Sequence, residues 1–393
     1  MNFLFHYMAR WKAINWTRYH YLLTNLAEMG HDVYVLQPPS LNLQETNFQE
    51  IEAKLPPRLH LIDMELNNLL WESNLPLNKL VKKGYYSIAS MNKVKDLVRS
   101  EKIDVAMFYN LPQYPIMESV SCIKIFDYAD DYLPMLQHEL GIFGNGLIMK
   151  YAKRVLDNMI QKADLTMAVS TVLADSIQTA RGNVKVLPNG VDISDFELAA
   201  SGKRYVECPK PIVGFIGAFE YFIDFDLILD VAQRMPRCTF LLVGSGRQLG
   251  YVQDQVKTRG LRNVILTGGV PHAQIANYIR EMDVCLNVFK KIAVSHSACP
   301  IKLFEYMIMK KPVISTRLHE VQKIDESFIL YADTAQEFVD SISMIVDNKT
   351  DVSGYVQRGY DTTVQKYSWK SITLKLLHWI DDIKRGSRSK VIN

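Results

Sequence analysis

Cys299-Pro-Ile-Lys-Leu-Phe-Glu-Tyr-Met-Ile-Met-Lys-Lys-Pro-Val-Ile-Ser-Thr316 reads as loop, helix, tight turn and strand. Pro300 suits the first helical position, where its fixed φ fits and its missing N–H is no loss. Leu303, Phe304, Met307 and Ile308 recur at the spacing of one buried helical face. Lys310-Lys311-Pro312 ends the helix, because proline cannot continue it, and Val313-Ile314 begins a buried strand. The chemistry sits at the helix start. Open backbone N–H groups, the positive end of the helix dipole and the Lys302 side chain outline a diphosphate site. Glu305, one turn on, is placed to accept hydrogen bonds from ribose hydroxyls. An ordinary αβ unit with a solvated lysine and glutamate fits the same residues, so the flanking chain has to decide.

Upstream, residues 2–8 read as a buried strand, and a loop over 9–15 leads into a helix from Trp16 to Met29. Gly30 stops that helix and His31–Leu36 is a second strand, which makes a βαβ unit and starts a parallel sheet. Ligands in such sheets bind beyond the carboxyl ends of the strands, where this loop lies. It lacks the GxGxxG fingerprint of dinucleotide enzymes and carries Arg10, Trp11, Lys12, Trp16 and Arg18 instead. Those residues suit either a cationic, aromatic rim for a phosphate or sugar ligand, or a surface loop with amphipathic anchors. A polar connection is expected over 40–58, then a strand at 59–64. A helix over 78–101 is rich in lysine, which fits a membrane-facing surface or a plain solvated face.

Strands follow at 103–109 and 122–127. The second runs into Asp127, Asp130 and Asp131, three carboxylates that can bind sugar hydroxyls, act as a base, or cap the next helix. A helix over 146–162 and strands at 164–170 and 184–187 complete the first half. Pro188-Asn-Gly-Val-Asp192 is a turn rich in breakers, and the polar 199–203 marks a domain boundary. Beyond it, strands at 211–218, 240–246, 264–271 and 284–289 alternate with helices and end in glycine- or proline-rich turns, a second parallel sheet. A final amphipathic helix starts at Trp369, with a frayed tail from Arg385.

Composition agrees with two folded domains: 393 residues, 48% hydrophobic and 22% charged, with a net charge of +3. No nucleic-acid partner is expected. The five cysteines are scattered without a CxxC pair, a reduced, cytoplasmic pattern with no zinc site. The N-terminus enters a strand without a signal-peptide pattern, and no apolar run reaches the ~18 residues of a spanning helix.

Two doubly wound domains without GxGxxG resemble the GT-B glycosyltransferases, and particular residues resemble family 4. Pro188-Asn-Gly-Val-Asp192 with Phe196 resembles the junction motif of that family. Pro300-x-Lys302-Leu-Phe-Glu305-Tyr-Met, then Lys311-Pro-Val-Ile, resembles its donor-binding helix. Gly217-Ala-Phe-Glu-Tyr-Phe-Ile-Asp-Phe-Asp-Leu-Ile228, Arg18-Tyr-His20 and Asp127-Tyr-x-Asp130-Asp131 resemble a subgroup that acts on cell-surface polysaccharides. The resemblance implies an acceptor domain over 1–198, a nucleotide-sugar domain over 205–368 facing it across a cleft, and a helix over 369–393 packing back on the first domain. It implies that Glu305 holds the ribose and that Ile301 and Lys302, at the helix start, hold the diphosphate. Gly217 and Ala218 let the diphosphate approach, and Val270 and Pro271 flank the base.

Catalysis would fall to Lys302 and to Asp127, Asp130 or Asp131, with Arg10, Arg18 and His20 on the acceptor side. The substrates would be a nucleotide sugar, a UDP-sugar first among them, and a saccharide or polyprenyl-linked saccharide. No cofactor and no metal are expected, because Asp224-Phe-Asp226 opens a helix, and a retaining route is expected over an inverting one. The place of action would be the cytoplasm, at the inner face of the plasma membrane, with peripheral contact through the 79–99 helix and the Trp11/Trp16 loop. Ser297 stands where the family carries the first glutamate of Glu-x7-Glu, and Ala218-Phe219-Glu220 replaces the usual cations, with Lys290 or Lys291 as possible helpers to Lys302. These departures leave two alternatives: a catalytically weak relative that binds partners in polysaccharide assembly, or a nucleotide-sugar epimerase of the same fold.

Overall fold

The computed structural model describes residues 1–12, 16–39, 55–66, 78–141, 144, 146–177, 182–197, 206–325 and 327–391. The expected connection over 40–58 lies outside them except for 55–58, as does the expected domain boundary at 199–203. The chain forms two compact units, Met1–Pro188 with Thr373–Asn393, and Asn189–Ile372. The division falls before Asn189, so the Pro188–Asp192 turn opens the second unit rather than closing the first.

The first unit holds a parallel sheet of seven strands in the order β3-β2-β1-β4-β5-β6-β7. They are β1 (Asn2–His6), β2 (Asp32–Gln37), β3 (Leu59–Asp63), β4 (Val105–Phe108), β5 (Ile123–Tyr128), β6 (Leu165–Ala168) and β7 (Val184–Val186). Val105–Phe108 and Leu165–Ala168 are buried at every position. Strands buried at every position are covered on both faces. The second unit holds a parallel sheet in the order β10-β9-β8-β11-β12-β13. Its strands are β8 (Ile212–Ile216), β9 (Thr239–Val243), β10 (Val264–Gly268), β11 (Val284–Asn287), β12 (Val313–Ser315) and β13 (Ile329–Tyr331).

The first helix spans Arg18–Glu28, two residues shorter at its start than its apolar pattern predicts. The last helix runs Trp369–Val391, so the tail expected to fray from Arg385 stays helical. Within the first unit it is tied down by Lys384, whose Nζ lies 2.8 Å from Asp104, and by Lys375, which donates to the Val186 carbonyl at 3.3 Å.

Candidate functional site

The helix Ile301–Ile308 lies against β11 and β12, with Leu303 through Ile308 buried. Tyr306 fixes its seat. β8 pairs with β11 only at Val213 and Gly214, so the two strands part toward their carboxyl ends. The Tyr306 hydroxyl fills the gap, accepting the Ile216 N–H at 2.8 Å and donating to the Leu286 carbonyl at 3.4 Å. Tyr306→Phe leaves that backbone N–H buried without a partner and is expected to cost about 1–3 kcal/mol, measured by urea denaturation. A second tie comes from Asn189, whose Nδ2 donates to the Cys299 carbonyl at 2.7 Å just ahead of the helix.

Helical phase then places Lys302 on the open side. Its Nζ lies 3.9 Å from the centre of the Phe215 ring and 5.1 Å from that of Phe289. A Cβ added to Gly217 would come within 2.9 Å of the same nitrogen. The ammonium therefore stands beside the Gly217 backbone, at the mouth where β8 and β11 part. It makes no hydrogen bond or ion pair among the described residues. Burial against the rings pushes it down to about 7, opposed by the Glu305 carboxylate. Part of the side chain still meets water, which limits that push.

Gly217 has φ +138°, a conformation open to glycine, and its carbonyl would lie 1.9 Å from a Cβ on Gly244. The strand-end turns thus nest with bare backbone upward. Ala218 is exposed beside them. Glu305 is buried one turn after Lys302, and its Oε1 lies 3.8 Å from Nε2 of His272. His272 follows Val270 and Pro271 directly, so the loop after β10 meets the same helix face. Gly217, Val270, Pro271, Lys302 and Glu305 thus gather around one helix start. The arrangement can take up a dianion over bare backbone, a cation and the end of a helix dipole, with a carboxylate for hydroxyls beside it.

Other polar residues of this unit are already engaged. Lys291 pairs with Asp333 at 2.7 Å, while Lys290 is exposed. Asp224 caps its helix by accepting the Leu227 N–H, and Asp226 pairs with Arg259 at 3.1 Å. Ser297 is buried, with its hydroxyl turned onto the Ala293 and Val294 carbonyls.

In the first unit the structure joins two motifs that lie far apart in sequence. Arg18 holds Asp127 with both ends of its fork, Nε to Oδ2 at 2.9 Å and a terminal nitrogen to Oδ1 at 3.1 Å. Both residues are buried, and Arg18 also donates to the Leu187 carbonyl at 3.2 Å. Burial pushes the Asp127 carboxyl up while Arg18 pulls it down. With both oxygens held, Asp127 is a structural partner here, not an open base.

His20 and Arg10 are likewise engaged. Nδ1 of His20 accepts the Thr17 N–H at 3.0 Å, and Nε2 faces the Trp11 carbonyl at 2.8 Å. Arg10 donates to the Pro38 carbonyl and pairs with Asp63, both at 2.9 Å. Trp11, read as part of a surface rim, is fully buried against His20 and Tyr7. Asp131 accepts from the Tyr128 hydroxyl at 3.2 Å, and Asp130 is the exposed carboxylate of the three. Its surroundings and the Asp127 charge push Asp130 upward, though water at its surface screens that push.

Residues 16–195 match the family described as Glycosyltransferase Family 4, and residues 210–348 the family described as Glycosyl transferases group 1. The two matches lie in sequence order and together take in most of the chain. The chain carries a Glycosyltransferase Family 4 region followed by a Glycosyl transferases group 1 region on the GT-B fold.

TuaH of Bacillus subtilis, named for a glycosyltransferase of teichuronic acid biosynthesis, is 26% identical over 236 residues, 57% of this chain. The match spans 58% of that relative's length. Among solved structures, sucrose-phosphate synthase from Thermosynechococcus elongatus superposes with a TM-score of 0.74 at 14% identity, covering 98% of this chain and 99% of that one. Anabaena HepE in complex with UDP-glucose gives 0.69 at 15% identity, covering 97% and 100%. At those identities the likeness concerns the GT-B fold.

The chain departs from the pattern that its sequence resembles where the cation and acid change place. Glu220 of the first turn pairs with Arg247 at 2.7 Å, and Ser297 offers no carboxylate. Sequence reading missed Phe215, Phe289, Tyr306, Asn189 and His272. The signals available were the position of His272 beside Val270 and Pro271, and the places of Asn189 and Tyr306 inside the two quoted motifs.

Proposed function

We propose that the protein transfers a sugar from a nucleotide-sugar donor, a UDP-sugar first, to a saccharide or lipid-linked saccharide in cell-surface polysaccharide synthesis, in the cytoplasm at the inner face of the membrane. One observation carries the reading: the Lys302 ammonium, held by two rings and by no counter-ion, beside the Gly217 backbone and one turn from Glu305. A departing diphosphate gains its stabilisation there from a fixed cation and a helix dipole, with no reorganisation during transfer. Glu305 takes the ribose, Val270 and Pro271 flank the base, and Ile301 and Ala218 complete the diphosphate cradle. The reaction needs no metal in this proposal and follows a retaining route, since Asp127 is held and only Asp130 and Asp131 stay near the surface. Acceptor hydroxyls meet that rim, and Arg10, Arg18 and His20 shape it by holding the loop after β1.

The test is calorimetry with UDP and a panel of nucleotide sugars, followed by turnover of each donor that binds. Micromolar heat from a UDP-sugar with sugar transfer is expected, and absence of any nucleotide binding would sink the proposal. Ser297 favours a second reading, a weak relative that binds donor and transfers slowly. Binding without transfer to any saccharide would support it.

A further inference from the structure

Leu147, Ile148 and Tyr151 are 78%, 41% and 71% exposed. They crowd the first two turns of the helix Gly146–Lys162, whose later residues Ala152, Val155, Leu156, Met159 and Ile160 are buried. The apolar stripe therefore runs past the point where the unit supports it. Lys150, Lys153 and Arg154 are interleaved with it, all exposed. No acidic residue occurs from 140 to 156; Asp157 pairs with Lys153 at 2.8 Å, and Glu118, one helix away, pairs with Lys162 at 3.9 Å. Three cations against one paired carboxylate, beside apolar surface, match the headgroup and acyl boundary of an anionic bilayer. An exposed tyrosine adds a ring that is apolar in body and polar at its tip, at home at that depth.

The topology says which way this surface faces. From β4 through β5 to β6 the chain moves in one direction across the sheet. Right-handed crossovers put their helices on one face, each beginning at the carboxyl ends of the strands. The helix Asn78–Ser100, leading into β4, moves the same way and begins at the same end. There Val81 is 50% exposed, and Lys83 lies within electrostatic reach of Asp130. The start of Gly146–Lys162 therefore shares an edge with the Asp130/Asp131 rim. Among the described residues no helix is long and apolar enough to cross a membrane.

We propose that the start of the Gly146–Lys162 helix, through Leu147, Ile148 and Tyr151 with Lys150, Lys153 and Arg154, lies on an anionic phospholipid surface and brings the rim to acceptors carried there. It rests on the lipid-linked form of the acceptor reading and replaces the buried Trp11 as the contact.

The test is co-sedimentation of the full chain with vesicles of phosphatidylglycerol and phosphatidylcholine, beside phosphatidylcholine alone. The wild type should bind the anionic vesicles at low salt and release as salt rises. Two triple variants, Leu147→Ser/Ile148→Ser/Tyr151→Ser and Lys150→Gln/Lys153→Gln/Arg154→Gln, should each weaken that binding by about tenfold or more. Both should keep the wild-type circular dichroism and the heat of UDP binding. Wild-type protein that ignores anionic vesicles, or variants that bind them unchanged, would overturn the proposal. So would self-association that both variants abolish, which would assign the face to a second copy of this chain. Loss of the donor reading would appear as absent UDP heat whatever the vesicles show.

Discussion

Lys302→Ala is expected to weaken UDP binding and lower kcat/KM by about two to three orders of magnitude. This is the scale, about 2–4 kcal/mol, on which one fixed charge-stabilising donor acts at a developing anion. Arg247 is paired with Glu220 and Lys291 with Asp333, so neither is free to replace it, and the exposed Lys290 lies in water where a charge is screened. The same residue gives the donor step a pH signature. Burial sets the free ammonium near 7, and a bound diphosphate raises it, so binding above neutrality takes up a proton. Affinity should be flat below about pH 7 and fall by up to about tenfold per pH unit above it. The last ionisation of UDP itself lies near 6 and does not mask the effect.

For stability the sign reverses. The unfolded lysine titrates near 10.4, so between 7 and about 10.4 the unfolded state binds more protons and Lys302 lowers stability least at high pH. Lys302→Met should therefore gain about 1 kcal/mol at pH 7, some 2–4 °C in Tm, while losing the donor. Calorimetric binding and thermal melts at a series of pH values check both halves. Wild-type affinity in Lys302→Ala would remove the residue from the mechanism.

Arg18→Ala is expected to destabilise the first unit by about 3–5 kcal/mol, because it strands the Asp127 carboxylate in the interior. The deficit should shrink as pH falls, since an unpaired buried carboxyl has a folded pKa above its unfolded value and protonates first. Arg18→Met with Asp127→Leu removes both charges and should recover most of the loss. Urea melts of the two single variants and the double variant close the cycle. If Asp127→Leu alone proved as stable as the wild type, the pair would not be the fastening described above.

The grouping around the Ile301–Ile308 helix start was largely legible because its geometry is local. Lys302 and Glu305 are three residues apart on one helix, and periodicity alone puts them on one face. Gly217 was legible through its turn, although its closeness to the Lys302 nitrogen was not. The cluster around Arg18 and Asp127 defeated local reading. Arg18 and Asp127 are 109 residues apart, and nothing in either motif shows that each neutralises the other. Trp11 sits in a polar loop and reads as exposed, yet Gln37 from β2 accepts its backbone N–H at 2.7 Å and its carbonyl accepts from Nε2 of His20 at 2.8 Å, which draws the ring inside. The spacing of Asp127, Asp130 and Asp131 is short enough to suggest a cluster, but strand phase sends Asp127 inward and leaves Asp130 out. Tyr306 entered only as a member of the Pro300–Met307 motif, with no role attached. Its hydroxyl matters because two strands part, a fact of register.

The first unit is assembled from two stretches of chain that the whole of the second unit separates. During synthesis at about 5–20 residues per second, β1 to β7 emerge well before the segment from Thr373 that anchors on Asp104 and Val186. The second unit is complete as soon as Ile372 is made, whereas the earlier-born unit waits for the last helix. Birth order and completion order are thus inverted: a chain cut after Ile372 has every residue of the second unit but lacks part of the first.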